Sequence, residues 1–232
     1  HVWSKAVGEA SSDLGYDILQ LPNGEILVAG TFSNSITSGT TVTSDGGIDG
    51  LLLRFDADGN AINARDYGGT ATDVAKQLVQ LDYGYLLVGG LGDGSSETFG
   101  AAPTLTGVGT DGYIAKFNNN HQIVWKKLVG GTSNDSISAA VRMPDNGVAI
   151  AGQFQGTINL GGANLTSAGF DDIFVARFDA SGNHVWSKKF GTNMQNNVSD
   201  LAVGPNGDLV IVGDLGTRMS FGGPTITVAG GV

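Results

Sequence analysis

The side chains that most invite chemistry are the acidic and amide groups of one turn, Asp56-Ala57-Asp58-Gly59-Asn60. Oxygen donors at alternate positions ahead of a glycine are how a calcium loop begins. Calcium is therefore the cofactor to consider, with Asp56, Asp58 and Asn60 as its ligands. The twelfth position of such a loop calls for a carboxylate, and here it is Tyr67. The equivalent turns, Asn118-Asn119-Asn120 and Asp179-Ala180-Ser181-Gly182-Asn183, hold fewer carboxylates. Asp, Asn and Gly are also what a tight turn selects, so a plain hairpin turn accounts for these residues and a metal site is the alternative.

Other candidates recur at fixed phase. Asp13, Asp73 and Asp135 lie in Gly/Ser/Thr-rich loops, where a carboxylate caps loop N–H groups or serves a ligand. His1, His121 and His184 fall at nearly one repeat position, which spreads them along the chain instead of gathering a triad or metal cluster. Trp3, Trp125 and Trp186 share one strand position, as sugar platforms or as packing between neighbouring units, and recurrence favours packing. No Gly-x-Ser-x-Gly elbow, His-Glu-x-x-His or phosphate-binding Gly-Lys-Ser/Thr motif occurs. The expectation is a chain without catalytic residues.

The elements that position these groups repeat. His1-Val2-Trp3-Ser4-Lys5 returns as His184-Val185-Trp186-Ser187-Lys188, with Ile123-Val124-Trp125-Lys126-Lys127 between them and a degenerate copy at Ala61-Ile62-Asn63-Ala64-Arg65. Anchors at 3, 63, 125 and 186 are spaced 60, 62 and 61 residues apart. Each copy continues with an Asn-Gly or similar turn and an apolar run closed by glycine, such as Ile26-Leu27-Val28-Ala29-Gly30. A Gly/Thr/Ser-rich linker and an Asp-x4-Arg/Lys-Phe segment follow, at Asp49, Asp111 and Asp172. Short apolar runs bounded by Gly, Asn, Asp and Pro predict four strands per repeat and an all-β chain. Tandem four-stranded units of about 61 residues predict a β-propeller, because one such sheet cannot bury both apolar faces alone. The small-residue runs of strand two, Val28-Ala29-Gly30 and Ile150-Ala151-Gly152, suit a crowded position near the axis. The bulkier Trp strand, with its lysines, suits the outer edge.

The outline W-x-K, x-x-N-G, V-x-V-x-G and D-x-F-V-A-R/K-F-D-x-x-G-N-x-x-W resembles the bacterial and archaeal propeller repeat called SBBP, for seven-bladed β-propeller. It is similar in outline to NHL repeats, with a longer linker between strands two and three. The resemblance covers essentially the whole chain. It implies a secreted or surface-exposed part of a large multidomain protein, and it carries over no catalytic or cofactor residue. The closing Gly-Asn-x-x-Trp is shared with pyrroloquinoline-quinone propellers, but no cofactor pocket accompanies it here.

Composition narrows the rest. The 232 residues carry 12 Lys+Arg against 22 Asp+Glu, a net charge of −10 that disfavours nucleic acid as partner. The absence of Cys excludes a disulfide scaffold. With 41% hydrophobic residues the chain is not a disordered acidic tail. No apolar run of about 18 residues exists, so no membrane insertion by a helix is expected. The chain opens without a start Met or leader, and its last linker stops just before strand three is due. The expectation is a four-repeat window, residues 1–232, cut from a larger, here partial, propeller. The alternative is a closed four-bladed ring with one incomplete blade, completed by another copy. The expected function is non-catalytic scaffolding, adhesion or binding of protein or glycan, extracellular or at the cell surface. Contacts would come from the variable loops near 33–48, 92–110 and 155–170. The alternative is part of a polysaccharide-active propeller enzyme working at the ring axis.

Overall fold

The computed structural model describes residues 3–9, 12–216 and 218–227, and every regular element among them is a β-strand. No described helix is long and apolar enough to cross a membrane. The first repeat holds β1 (Leu14–Gln20), β2 (Ile26–Phe32), a short hairpin of β3 (Ser35–Ser38) and β4 (Thr40–Thr43), then β5 (Asp49–Phe55) and β6 (Ala61–Tyr67). The second holds β7 (Val74–Leu81), β8 (Gly84–Leu91), β9 (Ser96–Glu97), β10 (Leu105–Thr106), β11 (Asp111–Phe117) and β12 (Ile123–Val129). The third holds β13 (Ser136–Arg142), β14 (Val148–Phe154), β15 (Thr157–Ile158), β16 (Leu165–Thr166), β17 (Asp172–Phe178) and β18 (His184–Phe190). The fourth holds β19 (Asn197–Val203), β20 (Leu209–Asp214), β21 (Arg218–Met219) and β22 (Ile226–Thr227).

Three four-stranded sheets result, ordered β1-β2-β5-β6, β7-β8-β11-β12 and β13-β14-β17-β18, while β19 pairs with β20. The chain divides into two compact units. One contains the residues up to Gly107 with Tyr113–Leu128, the other Val108–Gly112 with the residues from Val129 onward. In the first unit Leu27, Leu52, Leu78, Leu87, Tyr113 and Phe117 share one buried cluster, with the Tyr85 and Phe117 rings stacked 5.1 Å apart. In the second, Ala149, Ala151, Val175, Val198, Leu201 and Met219 do so.

The Trp strand lies at one edge of its sheet and strand one at the other, with strand two in the second place. The reason lies in burial: β2 and β14 are covered on both faces and flanked on both sides, which a continuous apolar run requires. Each first strand bulges at the same point, between Gly15 and Asp17, Ala75 and Gln77, Ile137 and Ala139, and Val198 and Asp200. The glycine closing each apolar run lies against that bulge. A Cβ on Gly30, Gly89, Gly152 or Gly213 would overlap the carbonyl oxygen of Leu14, Val74, Ser136 or Asn197.

The linkers between strands two and three fold into small hairpins, β3–β4, β9–β10, β15–β16 and β21–β22. In the first three repeats the linker is bonded to the outer strand. The Thr40 hydroxyl donates to Ala64 O and accepts from Ala64 N, each at 3.0 Å. Lys126 donates to the carbonyls of Thr98 and Ala101, and Lys189 to that of Thr166. An open outer strand invites pairing with other chains, and these bonds occupy part of it. The edge lysines thus act by holding the linker.

Candidate functional site

The turn that resembles a calcium loop joins β5 to β6. Asp56 Oδ1 accepts from the amides of Asp58 (3.0 Å) and Asn60 (2.8 Å), and Oδ2 from Asn60 Nδ2 (2.9 Å). Those donors hold the Asp56 pKa below its ordinary value, Asn60 foremost. Asp179 makes the same three bonds with Ser181 and Asn183, at 2.9, 2.8 and 3.0 Å. Both carboxylates are engaged by their own turns. In the second repeat the position of Gly59 and Gly182 is taken by His121, which keeps a left-handed φ of 58°. His121 is therefore not the equivalent of His184, which begins strand four as the sequence reading held. His1 lies outside the described residues.

His121 closes a small network in the first unit. Its Nε2 lies 2.7 Å from Glu25 Oε2, its Nδ1 3.3 Å from the Tyr85 hydroxyl, and Arg54 reaches Glu25 Oε1 at 2.9 Å. Burial and then Arg54 push the His121 pKa down, against the pull of Glu25. Both ring nitrogens face protein groups, which suits a clasp between two turns better than proton exchange with a substrate.

The recurrent aspartates build the junctions between repeats. Asp73 Oδ1 accepts from Gly92 N (2.8 Å), and its Oδ2 from Gly69 N (2.7 Å) and the Ser95 hydroxyl (2.9 Å). Asp135 accepts from Gly131 N at 2.7 Å and Gln155 N at 3.0 Å. Their own amides donate to the carbonyls of Ile48 and Thr110, each just before the Asp that opens strand three of the preceding repeat. Asp13 accepts from Glu9 N at 2.9 Å. The carboxylate of Asp73 or Asp135 thereby ties the entering loop to the outgoing linker, and the amide of the same residue ties both to the neighbouring repeat.

Each junction also brings a second carboxyl close. Asp49 faces Asp73, and Asp111 is hydrogen-bonded to Asp135. Asp49, Asp111 and Asp172 each keep one buried oxygen with no donor. Burial, reinforced by the neighbouring carboxylate, raises Asp135 to about 7 and Asp49 to about 6, and burial raises Asp111 and Asp172 as well. A proton on Asp135 supplies the bond that Asp111 otherwise lacks, since like charges at that spacing do not both ionise readily. At the third junction the same place is held by Asn196, a neutral isostere of the protonated acid. Its Oδ1 accepts from Gly216 N at 3.2 Å, and its Nδ2 donates to Met194 O at 2.7 Å.

The second unit also holds a polar cleft of about 380 Å³, lined by Thr110, Asp135, Gln153, Gln155, Asp171 and Asn197, among others. The tryptophans are placed apart. The Trp3 ring lies over Gly59, where a Cβ would touch it, and Trp186 packs against the core of the second unit. Trp125 is half-buried in β12.

No family model matches the chain. Over 212 residues it is 25% identical to the regulatory protein FlaEY of Caulobacter vibrioides, covering 82% of this chain and 21% of that protein. The chain thus spans about a fifth of that relative's length. A solved structure, the extracellular domain of a hybrid two component system from B. thetaiotaomicron, is matched at a TM-score of 0.31 and 15% identity, over 94% of this chain and 33% of that one.

Sequence reasoning singled out the recurrent aspartates but missed what they meet. The partner of Asp73 is Asp49, the partner of Asp135 is Asp111, and the phase between the two motifs was the available signal. The cleft was missed because Gln153, Gln155 and Asp171 belong to no motif. The signal they carried was departure from the repeat.

Proposed function

We propose that this chain is a run of four blades from a larger β-propeller of the SBBP type, serving as a non-catalytic scaffold in a secreted or cell-surface protein. Its strand ends and linkers recognise protein or glycan. One observation carries the scaffold reading. Ile18, Val210 and Val212 are 65%, 54% and 61% exposed, whereas the residues at the same repeat positions inside the chain are buried: Leu78 for Ile18, Leu86 and Ala149 for Val210, and Val88 and Ala151 for Val212. Apolar positions that the repeat buries wherever a neighbouring repeat packs against them call for further neighbours at these places as well.

Recognition by loops follows from the same division of labour. Strands, closing glycines and junction aspartates hold their phase, while linkers and strand ends vary on that fixed frame. The test is electron microscopy of the intact parent protein purified from its native source. A ring of more than four blades that includes these residues is expected. A closed ring of four blades, or repeats strung out without a ring, overturns the reading.

A further inference from the structure

The third repeat departs from the others at three positions that meet in one place. Gln153, Gln155 and Asp171 stand where the first repeat has Thr31, Ser33 and Ile48, and where the second has Gly90, Gly92 and Thr110. Architecture explains what recurs; it does not explain a cluster of departures. These three side chains line the 380 Å³ cleft of the second unit, and every other residue lining it is also polar.

The cleft is set by bonds among its own groups. Gln155 Nε2 donates to Asp171 Oδ1 at 2.7 Å, and Gln195 Nε2 donates to Asp171 Oδ2 at 3.1 Å. The hydroxyls of Ser136 and Ser138 both donate to Gln153 Oε1 at 2.9 Å, while Gln153 Nε2 donates to Val198 O at 3.1 Å. Side chains held at one end present their remaining lone pairs and N–H groups in fixed directions, so little is lost in ordering them when a ligand arrives.

The lining chemistry narrows the ligand. No Lys or Arg lines the cleft, and Asp135 and Asp171 do, which disfavours phosphates, sulfates and uronates. No aliphatic or aromatic side chain lines it, so a peptide would find no anchor. Only two carboxylates line the cleft, and among the described residues no three metal-ligating side chains gather there, fewer than a hard cation calls for. A neutral polyhydroxylated ligand fits. Each hydroxyl both donates and accepts, matching mixed amide and carboxylate groups. The volume lies near the small end of ligand pockets, room for about one or two pyranose rings.

We infer that this cleft binds a neutral glycan, with Asp171 and the Gln155 amide bonding its ring hydroxyls. The inference rests on the reading that strand ends and linkers carry recognition. It is tested by NMR on the ¹⁵N-labelled 232-residue chain titrated with maltotriose, cellotriose, mannotriose and chitotriose, each to about 10 mM, which detects millimolar binding. At least one triose is expected to shift the amides of Gln153, Gln155 and Asp171 saturably. Asp171→Asn is expected to weaken that binding about tenfold, the scale of one hydrogen bond to a charged group. Gln155→Glu, which sets a second carboxylate beside Asp171, should weaken it likewise and serves if the first variant fails to fold. No shift with any triose overturns the inference, as does undiminished binding by a folded Asp171→Asn or Gln155→Glu. Shifts confined to the linker hairpins overturn this site but leave recognition by loops standing. The blade count of the parent judges the scaffold separately.

Discussion

Asp135→Asn probes the junction between repeats most directly. Asp135 is 2% exposed, and burial, aided by Asp111, carries its pKa from 3.8 to about 7. A carboxyl whose folded pKa lies above its unfolded one binds its proton more tightly when folded. Its contribution is complete below about pH 4 and is lost as pH rises through about 7. The full rise corresponds to at most about 4 kcal/mol; half of that lowers the melting temperature by about 4–8 °C in a chain of this size. Asn does not titrate. It also offers one acceptor atom where Asp135 uses two, for Gly131 N and Gln155 N, at a cost of about 1 kcal/mol. The variant is therefore expected to gain stability relative to wild type as pH rises from about 5 to about 8. Circular dichroism melts at fixed ionic strength across that range provide the comparison. Taking the difference between the two proteins cancels the self-repulsion of a chain with net charge −10 and the separate rise of Asp49. A difference that stays constant from about pH 5 to about pH 8 refutes the shared proton.

Gly191→Ala places a Cβ on the buried Asp172 Oδ1 and is expected to destabilise by about 3 kcal/mol or more, read as a lowered urea midpoint; an unchanged midpoint would show that the junction can open to admit it. Thr40→Val removes both bonds to the Ala64 backbone and is expected to cost about 1–3 kcal/mol, with faster hydrogen exchange at the Ala64 amide as its local signature. The His121 ring is expected to titrate below 6.5 by NMR, because burial and Arg54 oppose its charge. What it contributes to stability is thus present above pH 6.5 and lost as pH falls, opposite in sign to Asp135; titration above 6.5 would mean that Glu25 dominates. Asp56→Ala should release the Asp58 and Asn60 amides from their bonds and raise their exchange rates, and a wild-type chain whose Asp56 turn shifts on adding calcium would show that the turn opens for a metal.

Repetition made much of this protein legible without coordinates. The spacing of Trp3, Asn63, Trp125 and Trp186, the Asn-Gly turns and the glycine-closed apolar runs together predict four-stranded antiparallel units, because each is a local requirement on the backbone. The expected ranges of strand one, 16–21, 74–81, 137–143 and 198–203, lie within about two residues of the observed strands, the scale on which boundary assignments differ. The edge order was not legible. Strand two and strand one are both apolar in part, and only pairing shows which has neighbours on both sides.

What the tertiary structure decided is everything that joins residues far apart in the chain. Asp111 and Asp135 read as two separate motifs, and burial of both against one junction turns them into a proton-sharing pair. His121 reads as one more repeat histidine, and the fold sets it in a glycine's place, against Glu25 and Tyr85. Gln153, Gln155 and Asp171 read as loop polarity, and the packing of strand ends gathers them into one cleft. Periodicity reports what a segment needs from its own backbone. Charge, proton affinity and recognition depend on distance and on exclusion of water, and those exist only once the segments have met.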